Sequence, residues 1–491
     1  ELELSRRLVE LDARCGNVTA VFDCCHSGEL GRDDDVVLAA RHEDRAPDWV
    51  RAALDPAGPA VALDSHPAIV RLCGASPQRT AYAVERRGRH IGRLTEALLE
   101  TLDAAGEGWA ALTWEGIGHH VRERVIAGVG NEGQWVALVG PRQRRLFSTQ
   151  VAPRPGSVSS LPHQDSARAL LRAGWHQGVA AGDRWAIADM EVQADGALRI
   201  RAEGVVESIE RNRAVLALDR SAELRAGLPA HLIRAADPLP VRVPPGPLAR
   251  AVEASAWLAV AKTETEAAAT VASHDDGVVV SRRAGDLLAS TFDAHDAAGL
   301  VECLEDWARG RRLLDCLGAH EASEHPLRWT WARVDERGTT PLTGQRPRLR
   351  AEDRIRVDLH SDALFDPWFV AIVLCDPAGR LRLLSTRMPE GIELPPQGHE
   401  VVGHRLGVAR QGLPLRWPAS LRDASEGPAC LLLLASRRPM SLGHLVRPQA
   451  LDHDDALALQ GLAKGVLRSH RAPELADACA FGRLDFTLAR A

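Results

Sequence analysis

A chain of 491 residues exceeds one ordinary domain, and at about 150 residues per unit three or four units are expected. Hydrophobic residues at 45% and charged residues at 26% exclude a chain that is disordered throughout. The net charge of −6 provides no basic field for a phosphate backbone or an anionic lipid surface, so neither nucleic acid nor a membrane is expected as a partner.

No run of 18 apolar residues occurs, and Glu1 to Glu10 is charged and amphipathic rather than a leader. The nine cysteines are odd in number and scattered, unlike a secreted disulfide framework, so a reducing cytoplasm is expected. Residue 1 is Glu and the first methionine is Met190, which suggests a fragment or a processed product. Only Lys262 and Lys464 of the 60 basic residues are lysine, a bias that points to a GC-rich bacterial source.

Leu2, Leu4, Leu8, Val9 and Leu11 fall near helical spacing, and Gly16 then stops the helix. Val18 to Phe22 is a short apolar run that ends in Asp23, Cys24, Cys25, His26, Ser27 and Gly28, a strand delivering a polar loop. Residues 29–67 carry no sustained period and read as a long exposed loop. Ile69 to Cys73 is the next strand, followed by helices over Gly92 to Ala105, with Thr95, Leu98, Leu99 and Leu102 on its stripe, and over Thr113 to Ala127. Strand, helix and strand in this order predict an open α/β sheet that ends by about residue 150.

Pro153 to Ser160 reads as a linker. Short alternating runs over 161–243 predict a small β barrel. Residues 248–320 mix helix (Leu248 to Trp257, Leu300 to Leu317) with strand (Gly277 to Ser281), a small α/β unit. Strand-like runs over 325–446 predict a β sandwich, and 447–491 a helical tail. Trp185, Trp257 and Trp368 are expected to be packing residues.

The chemistry gathers at the end of the first strand. Reactive groups in an open α/β sheet collect outside the carboxyl ends of strands. A cysteine nucleophile there needs a positive field to form thiolate and N–H donors to receive an oxyanion. Other readings of these residues stay open: Cys25 as a small buried hydrophobe, Asp23 as the cap of the following turn, and Asp33 to Asp35 as a solvated charge run. Cys24, Cys25 and His26 are set aside as a metal cluster, because adjacent side chains alternate faces and no second Cys/His pair has zinc spacing.

Residues Val18 to Gly28 resemble the nucleophile strand of bacterial caspase-like proteases and metacaspases, whose motif reads D-x-C-H-S-G. The match puts Cys25 at the nucleophile and Cys24 at the variable position. Arg71 to Gln78, Ala81, Tyr82, Glu85 and Gly92 to Thr95 resemble the family's next strand and helix, and Gln134 to Phe147 its closing segment. The resemblance covers about 147 residues and implies a partial caspase-like open α/β sheet, protein or peptide substrates, and a cysteine endopeptidase. Asp23, two residues before the nucleophile, would line the primary pocket. A carboxylate there pairs with guanidinium, so cleavage after Arg or Lys is implied. Calcium dependence occurs in part of the family, but Asp33 to Asp35 do not make a site by themselves and none is identified.

The family's catalytic histidine lies upstream of the cysteine, and no histidine precedes His26 here. The chain is therefore expected to be silent alone, its Cys25 near the free thiol pKa of about 8.5. The accessory β domains resemble regions attached to bacterial caspase-like proteins and are expected to recruit protein partners. The alternative is an inactive caspase-like scaffold or signalling adaptor that acts through those domains.

Overall fold

The computed structural model describes residues 2–23, 68–75, 81–86, 88–129, 134–152, 156–192, 198–210, 212–274, 277–283, 287–292, 296–320, 324–335, 338–343, 346–385, 388–403, 412–421, 423–446 and 478–490. The architecture is mixed α/β.

Helix α1 (Leu2–Cys15) sets Leu4, Leu8 and Val9 against Val18, Ala20, Phe22 and Ile69 in a small core of its own. Strand β1 (Thr19–Phe22) runs parallel to β2 (Val70–Cys73), in register from Thr19 opposite Val70 to Phe22 opposite Cys73. A hairpin of β3 (Ala83–Arg86) and β4 (Arg89–Gly92) leads into α2 (Arg93–Ala105), and α3 (Trp114–Val129) follows. Strand β5 (Ala137–Val139) then closes a three-stranded sheet antiparallel to β2. Helix α2 buries Leu94, Ala97, Thr101 and Ala105, whereas Leu99 is 53% exposed. Of the stripe expected on sequence, Leu98 and Leu102 pack against the core, whereas Leu99 faces outward and Thr95 makes a polar contact described below.

Six antiparallel strands form a closed barrel: β6 (Val158–Pro162), β7 (Arg168–Leu171), β8 (Arg184–Val192), β9 (Leu198–Glu210), β10 (Arg213–Leu218) and β11 (Leu228–Arg234). The expected β barrel is present, and its closure leaves no strand edge to pair elsewhere. Trp185, Ile187, Val206 and Leu216 fill its interior. Two boundaries differ from expectation. Val158 to Ser160 are buried in β6 rather than linker, and β12 (Leu239–Arg242) opens the next sheet rather than ending the barrel.

That sheet runs β13-β12-β14-β15-β16, with β13 (Leu258–Val260), β14 (Ala269–His274), β15 (Gly277–Arg282) and β16 (Leu287–Phe292). Helix α4 (Pro247–Ala254) links β12 to β13 as a parallel crossover, and α5 (Ala297–Gly318) follows the sheet. The Asp296 side chain caps α5 by accepting from Gly299 N.

Two sheets share the last core. One orders β18 (Gly338–Pro341), β17 (Leu327–Asp335), β20 (Arg354–Ser361) and β24 (His399–Val402), with β25 (Leu413–Pro414) beside β20. The other orders β19 (Arg348–Arg350), β27 (Cys479–Ala489), β26 (Glu426–Ser436), β21 (Trp368–Cys375) and β22 (Leu381–Leu383), with β23 (Ile392–Leu394) beside β21. Strand β20 alternates buried and half-buried residues, as one covered face requires. Strand β21 is buried at every position because both of its faces are covered. Val370, Ile372 and Leu374 enter the core between the two sheets, while Ala371, Val373 and Cys375 join the core shared with α5 and the barrel.

The expected helical tail is not seen where the structure describes it. Cys479 to Ala489 is strand β27, paired with β26 along its whole length and with β19 on its other side. Leu484, Phe486 and Leu488 face the inter-sheet core at strand spacing, which a helix would scatter. Trp185, Trp257 and Trp368 are all buried in cores. Among the described residues no helix is long and apolar enough to cross a membrane.

Candidate functional site

Asp23 follows β1 directly, and its carboxylate spans the gap to α2. Oδ2 accepts from Thr95 N at 2.9 Å and from Thr95 Oγ1 at 2.6 Å. Helix α2 has no side-chain cap of its own, since Gly92 stands at the N-cap. Asp23 supplies that cap from another strand, with its negative charge at the positive end of the helix. Only glycine fits around it. A Cβ on Gly92 would collide with the carboxylate, and one on Gly74 would come within 3.0 Å of Oδ1. Oδ1 is buried and has no hydrogen-bond partner among the described residues.

Gln134, fully buried, fastens the surroundings by donating to Gly74 O at 2.7 Å and accepting from Tyr82 N at 3.0 Å. Tyr82 O in turn accepts from Arg93 N at 2.8 Å, which fixes the start of α2. Thr95, Gly74 and Gly92 thus surround the Asp23 carboxylate, and Gln134 ties Gly74 to Tyr82.

Asp23→Asn is expected to destabilise the protein by about 1 kcal/mol, the size of a lost helix cap with its dipole term. Urea denaturation checks this, and an unchanged midpoint would contradict the capping role.

Cys25, Cys24 and His26 lie outside the described residues, as do Asp33 to Asp35, His42 and His66. His90 is exposed on β4, opposite Glu85. Among the described residues no group of three or more His, Cys, Asp or Glu gathers as a metal would require.

A second polar region, with no local pattern along the chain, lies where α3, the barrel and the segment after β26 meet. Glu115 is buried there, and its Oε2 accepts from Gln143 Nε2 at 2.7 Å and from Ser157 N at 2.9 Å. Burial alone would raise its pKa, yet Arg142 and these donors hold it below the ordinary carboxylate value. Arg122 and Arg142 both pair with Glu390, tying α3 and the loop after β5 to the sandwich. His176 sits 3.4 Å from Cys479 through Nδ1 and Sγ, a thiol–imidazole contact between residues 303 apart in sequence. Both are buried, and desolvation pushes the His176 pKa down to about 3. The imidazole is therefore neutral and leaves the thiol without the positive field a nucleophile needs.

Acid should loosen this region. Burial lowers His176 to about 3 and His444 to about 4, and it also lowers His120 to about 4. Unfolded histidine titrates near 6.5. Between that pH and the folded values the unfolded chain binds more protons, so stability falls as pH drops from about 6.5 towards 4. Asp376, raised to about 6 by burial, works the other way, since its contribution is present at low pH and is lost as pH rises through 6. Three histidines outweigh it. Denaturation midpoints at pH 7, 5.5 and 4.5 should fall in that order, and a rise on acidification would contradict the assignment.

No family model matches the chain, and a search of curated proteins finds no match.

Proposed function

We propose that the protein is a cysteine endopeptidase of the caspase-like kind, cleaving after Arg or Lys. The observation that carries the reading is that Thr95 bonds to Asp23, two residues before Cys25, with Gly74 and Gly92 against its carboxylate and Gln134 bridging Gly74 to Tyr82. The parallel pair β1 and β2, with β5 antiparallel at its edge, supports the partial open sheet that such a domain needs. An imidazole takes the Cys25 thiol proton, the sulfur attacks the scissile carbonyl, a backbone N–H donates to the oxyanion, and the C–N bond breaks as the imidazole passes that proton to the leaving amine. Water then releases the acyl group from sulfur. That imidazole is not among the residues of this chain that match the family pattern. Asp23 Oδ1, buried and without a partner among the described residues, is the atom that would pair with a substrate guanidinium once the site opens to it. Protein or peptide substrates follow, and the barrel and sandwich bind partner proteins.

One observation favours a second reading, a scaffold without turnover: Asp23 Oδ2 already serves as a helix cap. A panel of fluorogenic peptides differing only before the scissile bond separates the two, using protein expressed from its complete reading frame. The protease reading expects Arg and Lys peptides to be cleaved and Asp peptides spared. Preference for Asp would overturn the pocket assignment, and no cleavage of any peptide would favour the scaffold.

A further inference from the structure

Asn212, just before β10, and Arg213, which begins it, line a cavity of about 30 Å³. At about 10–15 Å³ per water this holds two or three waters, the space a small polyatomic ion fills. Four guanidinium groups line it, those of Arg122, Arg172, Arg213 and Arg438, against the single carboxylate of Glu123. Two are neutralised by their neighbours: Arg172 donates to Glu123 Oε2 at 2.7 Å, and Arg122 pairs with Glu390. Arg213 is half-buried, with its Nε out of water and without a hydrogen-bond partner among the described residues. Asn212 is 6% exposed, and its Oδ1 likewise finds no partner. The two other titratable groups on the wall, His119 and His176, have pKa values lowered by burial and stay neutral, so they neither cancel nor add charge.

A buried cation without a counter-charge is costly, and a buried amide without a partner costs less but in the same sense. Water would satisfy the hydrogen bonds and leave the charge. An oxyanion satisfies both, since guanidinium forks match paired oxygens, and the Asn212 amide can turn its Nδ2 towards the ion. A tetrahedral ion can give two oxygens to the Arg213 fork and keep others for the Asn212 amide, whereas a planar carboxylate spends both of its oxygens on the fork. We propose that this cavity is a binding site for a tetrahedral oxyanion of the phosphate class, which ties the β9–β10 turn to the Ser436–Ser441 segment.

Inorganic phosphate titrated into the protein in phosphate-free buffer tests the site by calorimetry and by thermal denaturation. Saturable binding is expected, with a rise in melting temperature that potassium chloride at equal ionic strength does not reproduce. Arg213→Gln should weaken binding by about tenfold or more, the loss expected for a charge-assisted hydrogen bond. Asn212→Leu, which fills the same place without polar atoms, should weaken it too. Absence of binding to the unaltered protein would overturn the proposal. So would an equal effect of chloride, or undiminished binding in Arg213→Gln.

Discussion

Replacing Cys25 with alanine is expected to lower cleavage of Arg peptides by at least about 10³-fold, whereas Cys24→Ala leaves it largely unchanged. The asymmetry follows from the motif, in which Cys25 stands at the nucleophile position and Cys24 at the variable one. Peptide turnover by the two variants, each checked for an unchanged melting temperature, decides the matter. Equal loss in both, or activity surviving Cys25→Ala, would remove Cys25 from the mechanism.

Glu115→Ala carries the largest expected loss of stability, about 3–5 kcal/mol, the usual cost of removing one member of a buried ion pair. The carboxylate receives Gln143 Nε2 and Ser157 N, and Arg142 approaches Oε1 at 3.7 Å. Alanine would strand two buried donors and leave Arg142 with Glu390 alone. Glu115→Gln keeps an acceptor but loses the charge, so it should cost less. Urea denaturation of both variants measures this, and a loss below about 1 kcal/mol for alanine would mean that the site relaxes or admits water.

Much of this architecture could be read along the chain wherever one face of an element is covered. Strand β20 alternates, α5 carries its stripe under a capping Asp296, and the barrel strands are separated by turn residues. Strand β27 likewise carries its signal in the period-two spacing of Leu484, Phe486 and Leu488. The continuous apolar runs of β21 and the middle of β26 say that both faces are covered without naming the cover, since a run without alternation looks the same against any partner. Domain-sized units were legible, but the shared core that joins α5, the barrel and the second sandwich sheet was not. At the site, Asp23 was legible by its place before Cys25. Its bond to Thr95, 72 residues away, was not, because capping from another strand leaves no local pattern. The contacts of Glu115 and His176 are long-range in the same way.

Covalent trapping tests the central claim most directly. A peptide chloromethyl ketone ending in Arg should alkylate the protein once, and peptide mapping by mass spectrometry should locate the adduct on Cys25. Asp23→Asn should slow the labelling by the Arg reagent more than that by a neutral one. Modification of another cysteine in place of Cys25, or no adduct at all, would contradict a caspase-like protease.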